Sequence, residues 1–211
     1  MLGLIYKDII ITRKYLLFML AACIIIPLVL ADSFGQNPYA SPLVLLVCAL
    51  YGVFFCLMDL SRKESEFHSA MALIGAAPYP RTLMVISTYL FALILFAGAC
   101  CLYAVEAVFV PQLRQISPLA ASAVFFIVAA LVSILLTLIY TLGYNKTRYV
   151  FSFIILLTPF LVAYIGENTS FSMFLQISNP WLTAAFWAAS ALILSVSVFL
   201  SIRSYSRAEL A

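Results

Sequence analysis

The sequence predicts an all-α, polytopic membrane protein: six transmembrane helices, an N-terminal in-plane amphipathic helix, and both termini cytoplasmic. Three observations carry this. The 211 residues are 66% hydrophobic and 9% charged, with a mean hydropathy of +1.15, against about 25% charged residues and 45–50% apolar ones in a soluble domain. Six long apolar segments contain no Lys or Arg. Ten of the eleven basic residues fall on one side of the alternating pattern those segments define. A water-soluble enzyme is excluded by the excess apolar surface, and a disordered chain by the high hydrophobicity.

The first fourteen residues are not a span. Leu2, Ile5 and Ile9 recur at helical spacing, with Lys7, Asp8, Thr12 and Lys14 elsewhere on the wheel, so the segment is expected to lie in the interface with its apolar face in lipid. A basic flank that merely sets topology is the alternative. The spans follow at 15–31, 42–60, 83–110, 119–142, 149–166 and 180–202, from 17 to 28 residues each. At about 1.5 Å per residue even the shortest nearly crosses a hydrocarbon core of about 30 Å. Barrel strands are excluded because they alternate in hydrophobicity over about ten residues, whereas these runs are continuously apolar. The first span also resembles the apolar core of a secretory signal, with Val29-Leu30-Ala31 as a cleavage site. Its run is longer than the usual ~7–15 residues, and cleavage would leave five spans with a terminus on the wrong side of the charge rule.

Orientation comes from Lys7, Arg13 and Lys14 before the first span, Arg62, Lys63 and Arg81 in the second loop, Lys146 and Arg148 in the fourth, and Arg203 and Arg207 in the tail. Arg114 stands alone on the other side. Basic residues stay cytoplasmic, which places both termini there. Tyr15, Tyr144, Tyr149, Trp181 and Tyr205 fall at the expected interfaces. Pro27 and Pro159 sit inside the first and fifth spans, where kinks are expected. The whole chain, 1–211, reads as one transmembrane domain.

A net charge of +3 with no basic face gives no reason to expect nucleic acid. One histidine, His68, cannot build a zinc site alone. The five cysteines, at 23, 48, 56, 100 and 101, lie in apolar runs, where they act as small hydrophobes. An intramembrane enzyme would need paired catalytic groups at depth, and no such pair is present, so no catalytic, cofactor or metal residue is assigned.

The longest cytoplasmic loop, 61–82, begins with Glu64, Glu66, Phe67, His68 and Met71 on a stretch of good helix formers, expected to be helical over 64–74. Gly75 supplies a stop, and Pro78 and Pro80 impose an extended turn before Arg81. A short helix projecting from the membrane is a natural docking element; a connector with no partner is the other reading.

With the in-plane helix around Lys7-Asp8, six spans, and a charged helix after span two, the chain resembles a permease subunit of the ABC-2 type. In that family the loop after span two runs from a Glu through a helix to Leu-Pro-(Val/Ile)-Ser-Arg, with a Lys-Tyr pair opening span three. This sequence has Glu64 and Glu66, then Ala77-Pro78-Tyr79-Pro80-Arg81, then Thr88-Tyr89. The Pro, Arg and Tyr match, whereas Ala77, Pro80 and Thr88 replace the family's Leu, Ser and Lys. Length and N-terminus are most similar to small permeases of Gram-positive peptide exporters, of the phenol-soluble modulin and bacteriocin types.

The resemblance implies a cell-membrane permease paired with a second copy or a paralogue and two cytoplasmic ATP-binding subunits. ATP and Mg would be held by those partners, since this chain has no Gly-x-x-x-x-Gly-Lys-Ser/Thr of its own. It further implies that 64–74 is the coupling helix, with Glu64, Glu66, Phe67, His68, Met71, Gly75 and Arg81 docking the ATPase. Lys146 and Arg148, on 143–148, would make a smaller second contact.

Within the spans, Asp59 is one turn from the cytoplasmic boundary beside Arg62 and Lys63, and is expected to cap or pair there. Glu106 lies four residues from the outer end of span three, either reaching the outer interface or breaking the span into a re-entrant exit element. The lack of acids at mid-membrane depth argues against an ion-coupled transporter. Ser133, Thr137 and Thr141 share one face of span four, to bond a neighbouring helix or, with Glu106, to line a polar path. A largely apolar cavity suits hydrophobic or amphipathic cargo, peptide or drug-like, bound for export. The rival from another class is an immunity protein that sequesters a peptide without pumping.

Overall fold

The protein was analysed as a computed structural model, which describes residues 2–34, 40–66, 81–109, 116–167 and 179–207. Seven helices account for nearly all of them: α1 Leu2–Ile11, α2 Arg13–Phe34, α3 Ala40–Glu66, α4 Arg81–Phe109, α5 Pro118–Leu142, α6 Tyr144–Glu167 and α7 Pro180–Arg207. Among the described residues there is no strand. Four helices, α3, α4, α5 and α7, are long and apolar enough to cross a membrane, and a fifth crossing results if the bent pair α1–α2 counts as one. The fifth expected segment, 149–166, lies within α6, a helix of 24 residues.

α3 is the central element. It touches α1, α2, α4, α5 and α6, and Val44, Ala49, Val53, Cys56, Leu57 and Leu60 are fully enclosed. The most extensive seam elsewhere is α5 against α7. α7 is peripheral: Trp181, Leu192, Val196 and Phe199 are all more than half exposed. An apolar outer surface of this kind needs lipid around it, because water would meet it only at a cost of roughly 25 cal/mol per Å².

The α2–α3 hairpin is tight because of Gly52. A Cβ there would stand 2.8 Å from Met19 Cγ, so the missing side chain lets Met19 lie across the α3 backbone. Cys23 sits one turn further along α2 and is buried with Cys48 and Cys56 in the same cluster.

The first two helices meet at 72°, and the cause is local. Thr12, fully buried, turns its hydroxyl back onto the Asp8 carbonyl at 2.8 Å, a back-bond that bends helices. The Ile11 carbonyl takes the ammonium of Lys63 from α3, and a side chain inserted into the backbone ladder is a cause of sharp kinks. The face of α1 turned inward is Leu4, Asp8 and Thr12, spaced by four, while Tyr6, Ile9 and Ile10 are exposed. The helix therefore presents its apolar residues outward and packs a mixed face on the bundle.

Where span two was expected to end at Leu60, α3 continues helically through Glu66. Glu64 and Glu66 are its last turn rather than the start of a separate short helix. Good helix formers without a breaker between Leu60 and Glu66 account for this. At 27 residues α3 reaches about 40 Å, longer than a hydrocarbon core of about 30 Å. Likewise 143–148 is not a loop. Gly143 alone breaks the chain, with φ +78°, a conformation suited to glycine. Its N–H caps α5 on the Ile139 carbonyl at 3.0 Å, and its own carbonyl accepts Thr147 N–H and Oγ1 at 3.2 and 2.9 Å. α6 starts at once, carrying Lys146 and Arg148 on its exposed first turns.

Candidate functional site at the charged end of the bundle

One end of the bundle gathers α1, the end of α3, the start of α4, the α5–α6 turn and the end of α7. Eight of the eleven basic residues lie on these termini, and Arg13 and Lys14 add two more at the start of α2. Tyr15, Tyr140, Tyr144, Tyr149 and Tyr205 accompany them, and Tyr140 packs edge-on against Tyr205 with ring centroids 5.7 Å apart. Arg148 lies over Tyr149, its guanidinium 4.9 Å from the ring centroid.

Two lysines clamp α1 to α3. Lys7 Nζ reaches Glu64 Oε1 at 3.2 Å and Asp8 Oδ1 at 3.1 Å. Lys63 Nζ pairs with Asp59 Oδ2 at 2.8 Å and also holds the Ile11 carbonyl. On the last turn of α3, Arg62 pairs with Glu66 at 2.8 Å, both half-exposed. The ion pair expected of Asp59 is thus made by Lys63; Arg62 points elsewhere.

The Lys7 cluster is electrostatically uneven. Burial pushes the Glu64 carboxyl above its ordinary range, against the pull of Lys7, and nearby Asp8 pushes the same way. Burial likewise pushes Asp8 up, partly offset by Lys7. For Lys7, burial alone would lower the ammonium, but Glu64 and Asp8 outweigh it and raise it. Asp8 Oδ2 has no hydrogen-bond donor among the described residues. One ammonium serves two acids, Asp8 buried and Glu64 partly exposed, so the cluster is short of positive charge.

The expected docking residues divide as follows. Glu64 is committed inward to Lys7, while Glu66 is exposed with Arg62. Arg81 opens α4. Lys146 and Arg148 stand exposed at the same end. Phe67, His68, Met71 and Gly75 lie outside the described residues. Lys7, Asp8, Thr12 and Lys63 make the clamp, and their pairing had no local signal, since Lys7 and Glu64 are 57 residues apart. Asp8 alone could have been found, as the middle member of the 4–8–12 stripe.

The polar stripe of α5 makes helix–helix bonds. Ser197 of α7 accepts or donates to Thr137 Oγ1 at 3.0 Å and to Tyr89 OH at 2.5 Å, and its hydroxyl reaches the Ser133 carbonyl at 3.0 Å. Tyr89 also contacts Ser201 at 2.9 Å. Thr141 is exposed and bonds back to the Thr137 carbonyl at 2.8 Å. Beside this network an open groove of about 570 Å³ runs between α5 and α7, lined by Ser133, Thr137 and Ser197 and otherwise by apolar side chains. Glu106 lies far from these residues, in the last turn of α4 at the opposite end.

No group of three or more metal-ligating side chains occurs among the described residues. No curated protein and no solved structure matches the chain. A family model described as ABC-2 family transporter protein matches residues 3–206. That match spans nearly the whole chain, from the start of α1 to the end of α7, and the chain belongs to the ABC-2 transporter family as a membrane component of an ABC transporter.

Proposed function

We propose that this chain is the permease subunit of an ATP-driven exporter, crossing the cell membrane six times with its charged end and both termini in the cytoplasm. The observation that carries the reading is the double clamp from α1 to the end of α3, Lys7–Glu64 and Lys63–Ile11. It joins the in-plane helix to the segment entering residues 67–80, so force applied to that segment is felt by α1 and the core helix together. The basic termini support the orientation, because basic residues are retained on the cytoplasmic side. α6, at 24 residues about 36 Å long, supplies the sixth crossing beside the bent α1–α2 pair and the four apolar helices.

In this reading two ATP-binding subunits dock at the charged end, through 64–75 and Arg81 with Lys146 and Arg148 at a smaller contact. ATP and Mg are bound by those subunits. A second copy of this chain, or a paralogue, completes the permease. Closure of the ATPases moves the coupling segments and switches a cavity between inward and outward access. The apolar lining of the bundle suits hydrophobic or amphipathic cargo, a peptide or a drug-like molecule.

Co-purification tests this. An ATP-binding subunit should be retained by the wild-type chain and lost, or left unstimulated, with Glu66→Lys combined with Arg81→Glu. Nucleotide-dependent cargo movement in vesicles separates a pump from an immunity protein that only sequesters. If no ATP-binding protein is retained and vesicles show no nucleotide dependence, the exporter reading fails.

A further inference from the structure

We propose that Glu106, at the end of α4 away from the charged face, is the binding residue for the ammonium group of a cationic amphiphile.

Two independent features meet there. The first is the carboxylate itself. Both oxygens are enclosed, and neither has a hydrogen-bond donor among the described residues. The acid shares the inward face of α4 with Ala99 and Tyr103, and Tyr103 donates to the Ser41 carbonyl at 3.2 Å, tying this turn to the start of α3. An ionisable side chain held in apolar surroundings without a partner is costly and is by default a functional position. The other acid at membrane depth, Asp59, has its lysine at 2.8 Å. The second feature is the helix end. Glu106 stands in the last turn of α4, which carries no basic residue. The negative end of the helix dipole coincides with the carboxylate instead of being neutralised by it. Position and chemistry together set a carboxylate with no counter-ion among the described residues beside an apolar surface that includes Val105, Val108 and Phe109, all exposed.

The ligand that fits has one positive charge and an apolar tail. A divalent metal ion is a poor match, since no second and third acidic or thiol ligand converges with Glu106 among the described residues. An alkylammonium places its N–H donors on the carboxylate and its chain along the exposed apolar face. Such a group can come from cargo or from an aminophospholipid. Its assignment to cargo rests on the permease reading, whereas the site itself does not.

The experiment uses the full chain in nanodiscs of phosphatidylcholine, a lipid without a primary amine. Dodecylammonium and dodecanol are titrated against wild type, Glu106→Gln and Glu106→Asp. Dodecylammonium should bind wild type about tenfold more tightly than Glu106→Gln, with Glu106→Asp between them, while dodecanol binds all three alike and reports an intact fold. Arg114→Gln should leave the affinity unchanged. Phosphatidylethanolamine added to the discs competes with dodecylammonium if the lipid is the natural source, and fails to compete if the site serves cargo. Equal dodecylammonium binding to wild type and Glu106→Gln overturns the proposal. So does a gain of affinity in Arg114→Gln, which would make Arg114 the resident counter-ion. None of these readings needs an ATPase, so the exporter reading can fail while the site stands.

Discussion

Lys7 Nζ and Glu64 Oε1 lie 3.2 Å apart across 57 residues of sequence, each side chain a quarter exposed. This pair ties the first helix to the last turn of α3. Partial solvation limits its strength, so a double-mutant cycle on Lys7→Ala and Glu64→Gln should give a coupling of about 0.5–1 kcal/mol in detergent unfolding. The functional effect should exceed the energetic one: either single change should uncouple a bound ATPase from cargo movement while leaving subunit retention intact. Equal loss of retention and movement would assign the pair to docking rather than transmission.

Lys63 serves two partners, and its variants should rank accordingly. Lys63→Met strands the buried Asp59 carboxylate and frees the Ile11 carbonyl, an expected cost of about 2–4 kcal/mol. Asp59→Asn leaves Lys63 on the carbonyl and should cost about 1 kcal/mol. Thermal unfolding of the two proteins checks the order, and a reversal would show that the Ile11 contact contributes nothing.

The charge-poor Lys7 cluster predicts a pH dependence. Asp8 and Glu64 have folded values raised above their unfolded ones. Their contribution is fully present below the unfolded range near pH 4 and is lost as pH rises through the raised folded values. Lys7, also raised, keeps its contribution until the pH passes its ordinary alkaline value. Stability should therefore fall as pH rises above about 4 and fall again above about pH 10. Asp8→Asn should flatten the first fall and spare the second, as read by melting temperature across buffers.

Gly52 offers a packing test. Alanine in a helix interior gains about 0.5–1 kcal/mol over glycine, but a Cβ would meet Met19 Cγ at 2.8 Å. The Met19 side chain is flexible, so Gly52→Ala should be near neutral and Gly52→Leu destabilising by about 1–3 kcal/mol. In a Met19→Ala background, Gly52→Ala should become stabilising. Persistent destabilisation there would place the conflict in backbone rather than in Met19.

In the α4–α5–α7 seam, Tyr89→Phe removes bonds to Ser197 and Ser201 but leaves Ser197 bonded to Thr137 and the Ser133 carbonyl. A loss of about 0.6 kcal/mol is expected, typical of interhelical hydrogen bonds in membranes. Unfolding in detergent checks it, and a loss several times larger would make Tyr89 the keystone of the network.

Much of this architecture is written in the sequence, because lipid forces apolar residues into long unbroken runs and charges to their ends. Pro118 and Gly143 bound α5 within a residue of the expected 119–142. Boundaries at the charged end were harder to read. Ser61–Glu66 is polar enough to suggest a loop, yet nothing in it stops the helix, so α3 simply continues. On α1, Ile9 and Ile10 are exposed, as an apolar face set toward lipid would be, whereas Asp8 is buried and finds its partner within, which the helical wheel did not foretell. Pairings such as Lys7 with Glu64, or Tyr89 with Ser197, depend on how helices stack and leave no trace in local spacing. The stripe on α5 was legible as a face, and the structure adds that the Thr137 hydroxyl and the Ser133 carbonyl engage Ser197 of α7.

The burial of α3 bears on biogenesis. It emerges from the ribosome before α4, α5 and α6, the helices that later enclose it. Until they arrive, Ser41 and Asp59 have only α1 and α2 for shelter. Lys63, four residues after Asp59 on the same helix, is already present to neutralise it, so this early-made helix carries its own counter-ion through insertion.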